Sequence, residues 1–190
     1  MAERLSRETV VERASALADE IGLEQLTITK LGRELGIAPP GVYRHVADLD
    51  DLRRAVSRSA AIDAAAALSV ACTGLSGAAA LGAVASTVRE WAASHPGRYS
   101  AMQIAPDQGD TEGQAAAETL SVVITQALRA YRLSGDDLTD AIRLIRSTVH
   151  GFAALEAAGG FKQPRDLDAT FERVVGALDV VLQGWASASN

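Results

Sequence analysis

The sequence predicts an all-α protein, with an N-terminal three-helix domain of helix-turn-helix geometry and a larger helical C-terminal domain. Apolar residues recur every three or four positions along most of the 190 residues, which is the period of amphipathic helices. Clusters of glycine and proline divide these runs into segments of helix length. We place the two domains at residues 1–47 and 48–190.

The first helix is predicted to begin after Ser6 and to end at Gly22. The Ser6 hydroxyl can cap the first turn, and Leu5 and Val10 can form a hydrophobic staple across it. This helix is expected to pack on the next two. Its predicted buried stripe consists of Val10, Ala14, Leu17 and Ile21.

The second helix is predicted from the apolar stripe of Ile28, Leu31 and Leu35. Thr27 is suited to cap its start. Gly36 can adopt the positive φ with which a chain commonly leaves a helix, so we expect the chain to turn there.

The third helix is marked by Pro39 and Pro40. Proline lacks the N–H that a first helical turn leaves unpaired, so it is tolerated at a helix start. Because a residue before proline avoids the α region, we expect Pro40 to be the first helical residue. Val42 and Val46 then face the core. The residues left pointing away from the core are Gly41, Tyr43, Arg44 and His45.

A helix, a tight turn and a short helix with a polar outer face form the geometry that reads DNA in the major groove. The segment from Thr27 to Val46 carries three basic residues and one acid, a local charge of +2. Cations and hydroxyls can bind phosphates, and Gly41 lets the backbone or a thymine methyl come close. The same geometry also occurs as plain packing of two helices, so spacing alone leaves both interpretations open.

A resemblance favours DNA binding. Leu26-Thr27, Lys30-Leu31, Leu35-Gly36-Ile37 and Val42-Tyr43-Arg44-His45-Val46 resemble the DNA-binding domain of the tetracycline-repressor (TetR) family. The resemblance implies double-stranded DNA with a palindromic operator as the partner. The predicted contacts near bases are Thr29, Lys30, Pro39, Pro40 and Gly41; those near phosphates are Thr27, Arg33, Tyr43, Arg44 and His45.

One position departs from the family pattern. Family members place a lysine shortly after the Tyr-x-His step to hold a phosphate, and here that position is Leu49. Arg53 or Arg54 could supply the contact instead. The fourth helix is predicted to open at Asp48 and to continue through an alanine-rich stretch to about Ala71, as the only covalent route from the N-terminal domain to the rest.

The middle of the chain predicts three further helical segments. Leu81, Val84, Val88 and Trp91 mark the first, and Pro96 to Ile104 forms a short second one. Ala105 to Gly113 is expected to be a solvated loop. The third segment follows from Leu120 to Tyr131.

The last two helices have the most regular pattern. One line of apolar residues is Leu138, Ile142, Ile145, Val149 and Phe152, and the other is Leu167, Phe171, Val174, Leu178, Val181 and Trp185. Such heptad spacing suits helix bundles. Because second apolar lines occur at Leu144 and at Val175 and Leu182, we expect a homodimer through a four-helix bundle; the alternative is that both lines serve an internal core.

The C-terminal segments also resemble the same family, in His95-Pro96-Gly97-Arg98-Tyr99 and in Ser147-Thr148-Val149-His150-Gly151-Phe152. The resemblance implies a pocket for a small-molecule effector among the middle helices. Trp91 and Phe152 equally fit a plain core, and His150 fits an interior, hydrogen-bonded histidine. The candidate lining residues are Trp91, Tyr99, Met102, His150 and Phe152.

Net charge, cysteine count and the length of apolar runs indicate which kinds of protein this chain can be. Net charge is −6, but residues 1–58 hold nine basic and ten acidic residues, so most of the acidity lies outside the predicted DNA-binding domain. A single cysteine, Cys72, precludes an internal disulfide, and no apolar run suggests a membrane span or signal peptide, so we expect a cytoplasmic protein.

The sequence contains few of the motifs that indicate an enzyme. His95 and His150 lack the spacing of a metal site, and neither a nucleophile elbow nor a phosphate-binding loop occurs. We therefore expect no enzyme, no cofactor and no metal. The rival interpretation is an all-α enzyme or small-molecule-binding protein with an incidental helix-turn-helix. Whether a regulator of this kind represses or activates is not decided by these residues, although repression is the prediction.

Overall fold

A computed structural model describes residues 5–188, with side chains to Trp185. These residues form α-helices and no strand, which confirms the predicted all-α class. Two single 3₁₀ turns occur, at Leu23–Gln25 and Arg129–Tyr131. The helices are α1 (Arg7–Ile21), α2 (Ile28–Glu34), α3 (Pro39–Val42), α4 (Leu49–Cys72), α5 (Gly77–Ser94), α6 (Pro96–Met102), α7 (Thr111–Ala127), α8 (Gly135–Ala157) and α9 (Leu167–Ala188).

Contacts divide the chain into two compact units. The first unit holds the residues up to Asp63 together with Ser94–Thr119, and the second holds Ala64–Ala93 together with the residues from Leu120 onwards. The first half of α4 and all of α6 thus pack with the N-terminal helices. The predicted boundary at residue 47 separates a DNA-binding from a regulatory domain by function and not by contacts. It therefore stays a prediction.

The core of the first unit is built by α1, α2, α3 and the start of α4. Ser6 caps α1 by accepting a hydrogen bond from the Thr9 amide at 3.1 Å, as predicted. Of the predicted α1 stripe, all members are buried except Ile21, which is half-buried. The large side chains that are fully buried in this core are Val10, Leu26, Leu31, Val42, Val46, Leu52 and Val56.

Helix α6 packs closely on α1 because Gly97 has no side chain. A Cβ atom at Gly97 would lie 2.1 Å from the carbonyl oxygen of Ala18. The neighbouring Arg98 donates from its backbone N–H to Asp19 Oδ1 at 2.9 Å and from Nε to Asp19 Oδ2 at 2.7 Å. One carboxylate therefore fixes the start of α6 to the end of α1, and α6 ends at Met102, earlier than the predicted Ile104.

The predicted solvated loop from Ala105 to Gly113 is wrong at its C-terminal end, where α7 already begins at Thr111. Asp110 is only 11% exposed, and its Oδ1 lies 3.1 Å from Arg58 Nη1 on α4. The same oxygen accepts a hydrogen bond from the Gly113 amide at 2.9 Å. Asp110 therefore caps α7 and forms an ion pair, which the composition of the loop does not reveal.

The core of the second unit follows the predicted line on α8 and departs from it on α9. Ile145, Val149 and Phe152 are buried as expected. On α9, Leu182 is fully buried while Val181 is 39% exposed. A straight helix drifts about 20° per heptad against a strict seven-residue repeat, so the buried line passes from 181 to 182. Val181 of the first line therefore lies outside the core of the single chain.

Arg89 joins three helices of the second unit. Its Nε donates to Glu156 Oε2 on α8 at 2.7 Å, and its Nη1 donates to Asp168 Oδ1 on α9 at 2.8 Å. The guanidinium carbon lies 5.2 Å from the ring centroid of Phe152 and 4.8 Å from that of Phe171. The hydrogen bonds from Arg89 lower the pKa of Glu156. The cation is thus satisfied at its edge by carboxylates and on its faces by aromatic rings.

Helix α4 is the one helix among the described residues that is long and apolar enough to cross a membrane by length and composition; 39% of the window that meets these criteria is buried. Core helices meet the same criteria. Leu52, Val56 and Leu68 of α4 are buried, and Arg58 and Asp63 interrupt its apolar residues. The helix ends at Cys72, one residue beyond the predicted end.

We predict that Gly97→Ala lowers the free energy of unfolding by about 1–3 kcal/mol, because the added methyl group meets backbone that cannot move aside. Urea titration followed by circular dichroism measures this. Gly82→Ala in α5 is the control, since a Cβ there meets nothing within 4 Å and alanine is the better helix former. Equal midpoints for the two variants would contradict the close packing of α6 on α1.

Candidate nucleic-acid interface

The turn between α2 and α3 is held by local hydrogen bonds. Thr27 caps α2, because its Oγ1 accepts from the Lys30 amide at 3.2 Å. Gly36 has a φ of 68°, and the Ile37 amide donates to the Gly32 carbonyl at 2.9 Å. Both predictions, the Thr27 cap and the positive φ of Gly36, are confirmed.

Gly32 is a residue that the sequence analysis missed. It lies inside α2 and is buried, and a Cβ on it would stand 2.9 Å from the Ile37 carbonyl oxygen. A side chain at this position would push the turn away from α2. The available signal was a glycine within a helical pattern, which usually has a packing reason.

Helix α3 begins at Pro39, so the predicted start at Pro40 is wrong by one residue. Ala38 alone occupies the cap, with φ −70° and ψ 152°, the conformation that a residue before proline prefers. Pro39 takes the first helical position, where its missing N–H costs nothing. The Tyr43 amide donates to Pro39 O at 3.2 Å, and turns carry the chain on to Val46.

The side chains after Pro40 divide between the core and the solvent. Val42 and Val46 are buried, whereas Tyr43 is 53% exposed, Arg44 is exposed and His45 is half-buried. These placements are as predicted.

Gly41 differs from the prediction that it points away from the core. A Cβ on it would lie 3.1 Å from Ile37 Cδ1 and 3.4 Å from Ile37 Cβ. The missing side chain therefore makes room for Ile37 within the motif. The expected approach of DNA at this position has to use the Gly41 backbone.

The cations of the motif dominate its surface. The single acid, Glu34, forms an ion pair with Arg13 of α1. Lys30 is half-buried, and its Nζ donates to Gln25 Oε1 at 3.1 Å. Arg33 and Arg44 are exposed, and within residues 5–188 neither side chain forms a hydrogen bond or ion pair. Two exposed guanidinium groups therefore stand on the α2–α3 surface.

Leu49 occupies the position at which the family pattern has a phosphate-binding lysine, so this position offers no cation. Leu49 is half-buried and packs on the core of the first unit. Arg53, the proposed substitute, is only 30% exposed, and its Nη1 lies 3.9 Å from Asp50 Oδ1. Its Nε is buried and has no hydrogen-bond partner among the residues that the structure describes. Arg54 is half-buried.

The predicted effector residues are divided between the two units. Tyr99 and Met102 lie on α6 in the first unit, and Trp91, His150 and Phe152 lie in the second. Phe152 packs on Phe161 and Phe171, with ring centroids 4.8 and 4.9 Å apart. This contact favours the plain-core interpretation of Phe152. His150 is exposed on α8, so the interior interpretation of this histidine is wrong for the single chain.

A groove of about 770 Å³ lies in the first unit between α1 and α4, with Arg98 of α6 also lining it. Val11, Ala55 and Ile62 give it an apolar strip. None of the five predicted effector residues lines this groove. Its charged lining residues are Arg7, Glu8, Glu12, Asp63 and Arg98.

No group of three or more histidine, cysteine or carboxylate side chains in the described part of the chain could hold a metal ion. Cys72 is half-buried at the end of α4, and burial raises the pKa of its thiol. The exposed guanidinium groups of Arg33 and Arg44 give the surface of α2 and α3 the charge and the donors that can bind anions.

Comparison with protein families identifies a match over residues 81–178 to the family described as "Tetracyclin repressor-like, C-terminal domain". An uncharacterized HTH-type transcriptional regulator of Mycobacterium tuberculosis is 36% identical over 173 residues, which cover 90% of this chain and 79% of that protein. The class D tetracycline repressor of Escherichia coli is 46% identical over 43 residues, covering 23% of this chain and 20% of that protein.

Solved structures share the fold. A possible TetR family transcriptional regulator of Streptomyces coelicolor superposes with a TM-score of 0.73 at 18% identity, covering 94% of this chain and 99% of that one. A TetR variant of Acinetobacter baumannii, crystallised in complex with minocycline, superposes with a TM-score of 0.68 at 21% identity, covering 96% and 99%.

We predict that Thr27→Ala lowers the free energy of unfolding by about 1 kcal/mol, because the Lys30 amide loses its acceptor at the start of α2. Thr27→Ser keeps the hydroxyl and should leave stability close to that of the parent protein. Chemical denaturation of the three proteins side by side measures both effects. A loss of equal size for serine and alanine would show that the threonine methyl group, and not the cap, stabilises this turn.

Proposed function

This chain belongs to the tetracycline-repressor (TetR) family of helix-turn-helix transcriptional regulators, and we propose that it represses transcription by binding a palindromic operator as a homodimer. The observation that carries the proposal is the two-sided character of α3 and the turn after it. Val42 and Val46 are buried, while Tyr43 and Arg44 are open to solvent. We propose that the protein acts in the cytoplasm, where its operator lies. The proposed function includes no catalytic step.

We assign the DNA contacts by what each group can offer. Hydroxyl groups, cations and the histidine ring bind phosphate oxygens, while side chains at the ends of α2 and α3 read base edges. The predicted division of labour is retained, with DNA contacts in residues 1–47 and regulation and dimerisation in 48–190. The proposed base contacts are Thr29, Lys30, Pro39, Pro40 and Gly41, and the proposed phosphate contacts are Thr27, Arg33, Tyr43, Arg44 and His45.

The short reading helix requires a second copy. Specific DNA-binding proteins reach nanomolar affinity by burying more surface than one four-residue helix presents. A two-fold dimer supplies two copies for two half-sites. Leu155 on α8 and Val180 and Val181 on α9 are 52%, 68% and 39% exposed, and we propose that these residues pack against the partner subunit. This arrangement keeps the four-helix bundle proposed from the sequence but changes its contacts, because Leu182 of the second apolar line is fully buried within the single chain.

Release from DNA requires a ligand that binds the DNA-free and DNA-bound arrangements differently. A coupling free energy of about 1–3 kcal/mol is enough for a 5- to 150-fold change in DNA affinity. The minocycline complex of a structural relative supports a small-molecule effector. Our candidate contacts remain Trp91, Tyr99, Met102, His150 and Phe152, of which Phe152 is the weakest because its ring packs in the core.

We predict that Arg44→Ala weakens binding to all DNA sequences and reduces the slope of log affinity against log salt by about 1, because one phosphate contact is lost. Substitution of Thr29 or Lys30 should instead relax the preference at particular base pairs. The measurement is a gel shift on the DNA flanking the protein's own gene at several salt concentrations, with and without a panel of apolar small molecules. A reporter gene behind the same DNA distinguishes repression from activation.

Arg143→Ala is the control for Arg44→Ala, since Arg143 is an exposed arginine of α8 that pairs with Asp140 one turn earlier. It should leave both the affinity and the salt slope unchanged. An unaltered slope for Arg44→Ala would refute the phosphate assignment.

We predict that Val180→Glu converts the dimer to a monomer, because a charge is buried at the centre of the proposed interface. Sedimentation equilibrium at micromolar concentration measures the mass. Val70→Glu on α4 is the matched control, since Val70 is 78% exposed and lies outside the proposed interface. A monomeric parent protein, or a dimeric Val180→Glu variant, would contradict the α8–α9 dimer.

A further inference from the structure

Arg7, the first residue of α1, contacts the chain that leaves α3. Its Nη1 donates to the His45 carbonyl oxygen at 2.5 Å and to Asp51 Oδ2 at 3.0 Å, and its Nη2 donates to Asp51 Oδ1 at 2.8 Å. One guanidinium group therefore ties the start of α1 both to the end of the proposed reading segment and to the first turn of α4. Bidentate pairs of this kind fix orientation as well as distance.

Asp51 extends the same network to the linker between α3 and α4. Its Oδ2 also accepts from the Ala47 amide at 2.9 Å, and its own amide donates to Asp48 Oδ1 at 2.6 Å. The side chain of Asp51 is only 18% exposed, and the hydrogen bonds from Arg7 lower its pKa to about 2. The pair is thus fully ionised at neutral pH.

These bonds act where the backbone has few of its own. Residues 43–48 form turns and a bend between α3 and α4, and α3 has only four residues. A helix this short has no independent stability, so its direction depends on what holds its two ends. The Gly32–Ile37 turn holds one end, and the contacts of Arg7 and Asp51 with His45 and Ala47 hold the other.

We propose that Arg7 and Asp51 are positioning residues for DNA recognition, which orient α3 without touching the DNA. The proposal rests on the DNA binding proposed above. It predicts that removing an acid lowers the affinity for DNA, which is opposite to the effect of charge alone. Asp51 is an acid beside a surface that meets phosphates, so by charge alone its removal should strengthen DNA binding. As a positioning residue, its removal should weaken DNA binding.

The test compares Asp51→Asn with Asp50→Asn. Asp50 is the adjacent acid on the same turn, 76% exposed and 3.9 Å from Arg53, so the control removes the same charge without the network. We expect Asp51→Asn to weaken operator binding at least tenfold and Asp50→Asn to leave it unchanged or slightly tighter. If both variants bind tighter, charge alone decides and the proposal is overturned.

Arg7→Ala separates positioning from direct contact. A positioning residue lowers affinity while the salt slope keeps its parent value, whereas a phosphate ligand lowers the slope by about 1. In the double variant the losses of Arg7→Ala and Asp51→Asn should add only in part, because the two side chains orient each other while each makes its own bond to the linker. A reduced slope, or additive losses, would overturn the proposal.

Measurements without DNA keep the test independent of the proposed function and of misfolding. Hydrogen exchange of the Ala47 amide should accelerate in Asp51→Asn and Arg7→Ala, with circular dichroism of the parent protein retained. Unchanged exchange would overturn the positioning role even if operator binding falls. If the parent protein binds no operator, the proposed function fails, while the exchange result still decides whether this pair holds the linker.

Acid should release the same contact. Because the pKa of Asp51 is depressed in the folded protein, its contribution to stability is complete above about pH 4 and is lost as the pH falls toward about 2. Exchange of the Ala47 amide, corrected for its intrinsic pH dependence, should therefore rise across this interval in the parent protein. The Asp51→Asn variant should show no such rise, and an equal rise in both would contradict the assignment.

Discussion

The burial of Val42 and Val46 in the core of the first unit is the constraint on which the rest of the interface depends. Helix α3 has four residues, far fewer than a helix needs to be stable in water by itself. Val42 at the end of this helix and Val46 after the following turn are buried in one core with side chains of α1, α2 and α4, so the surrounding core provides the stability that the segment lacks. Because Val42 and Val46 turn toward the core, Tyr43 and Arg44 between them face the solvent.

Charge is distributed to serve the same surface. Fourteen of the 24 acidic residues lie outside residues 1–58, and two acids close to α2 and α3 are paired with arginines. Glu34 pairs with Arg13, and Asp51 pairs with Arg7, while Arg33 and Arg44 are left exposed. The local field at α2 and α3 is therefore positive although the chain as a whole carries −6.

Local chemistry was predictable and long-range chemistry was not. The Thr27 cap and the left-handed Gly36 follow from residue type and position, because each involves groups within a few residues. Arg7 with Asp51 and Arg58 with Asp110 join residues more than 40 positions apart, which no periodic pattern encodes. The prediction that Gly41 points away from the core was wrong for a similar reason. The space at Gly41 depends on where the Ile37 side chain lies after the turn.

By itself, the sequence determined the all-α class, the order of the helices and the position of the helix-turn-helix, because helical period, caps and prolines act locally. Only the tertiary structure decided that α6 packs with the N-terminal helices, that Leu182 and not Val181 enters the core, and that a carboxylate on α4 holds the residues after α3. The physical reason is that burial and ion pairing depend on distances between segments, which form only when the chain has folded.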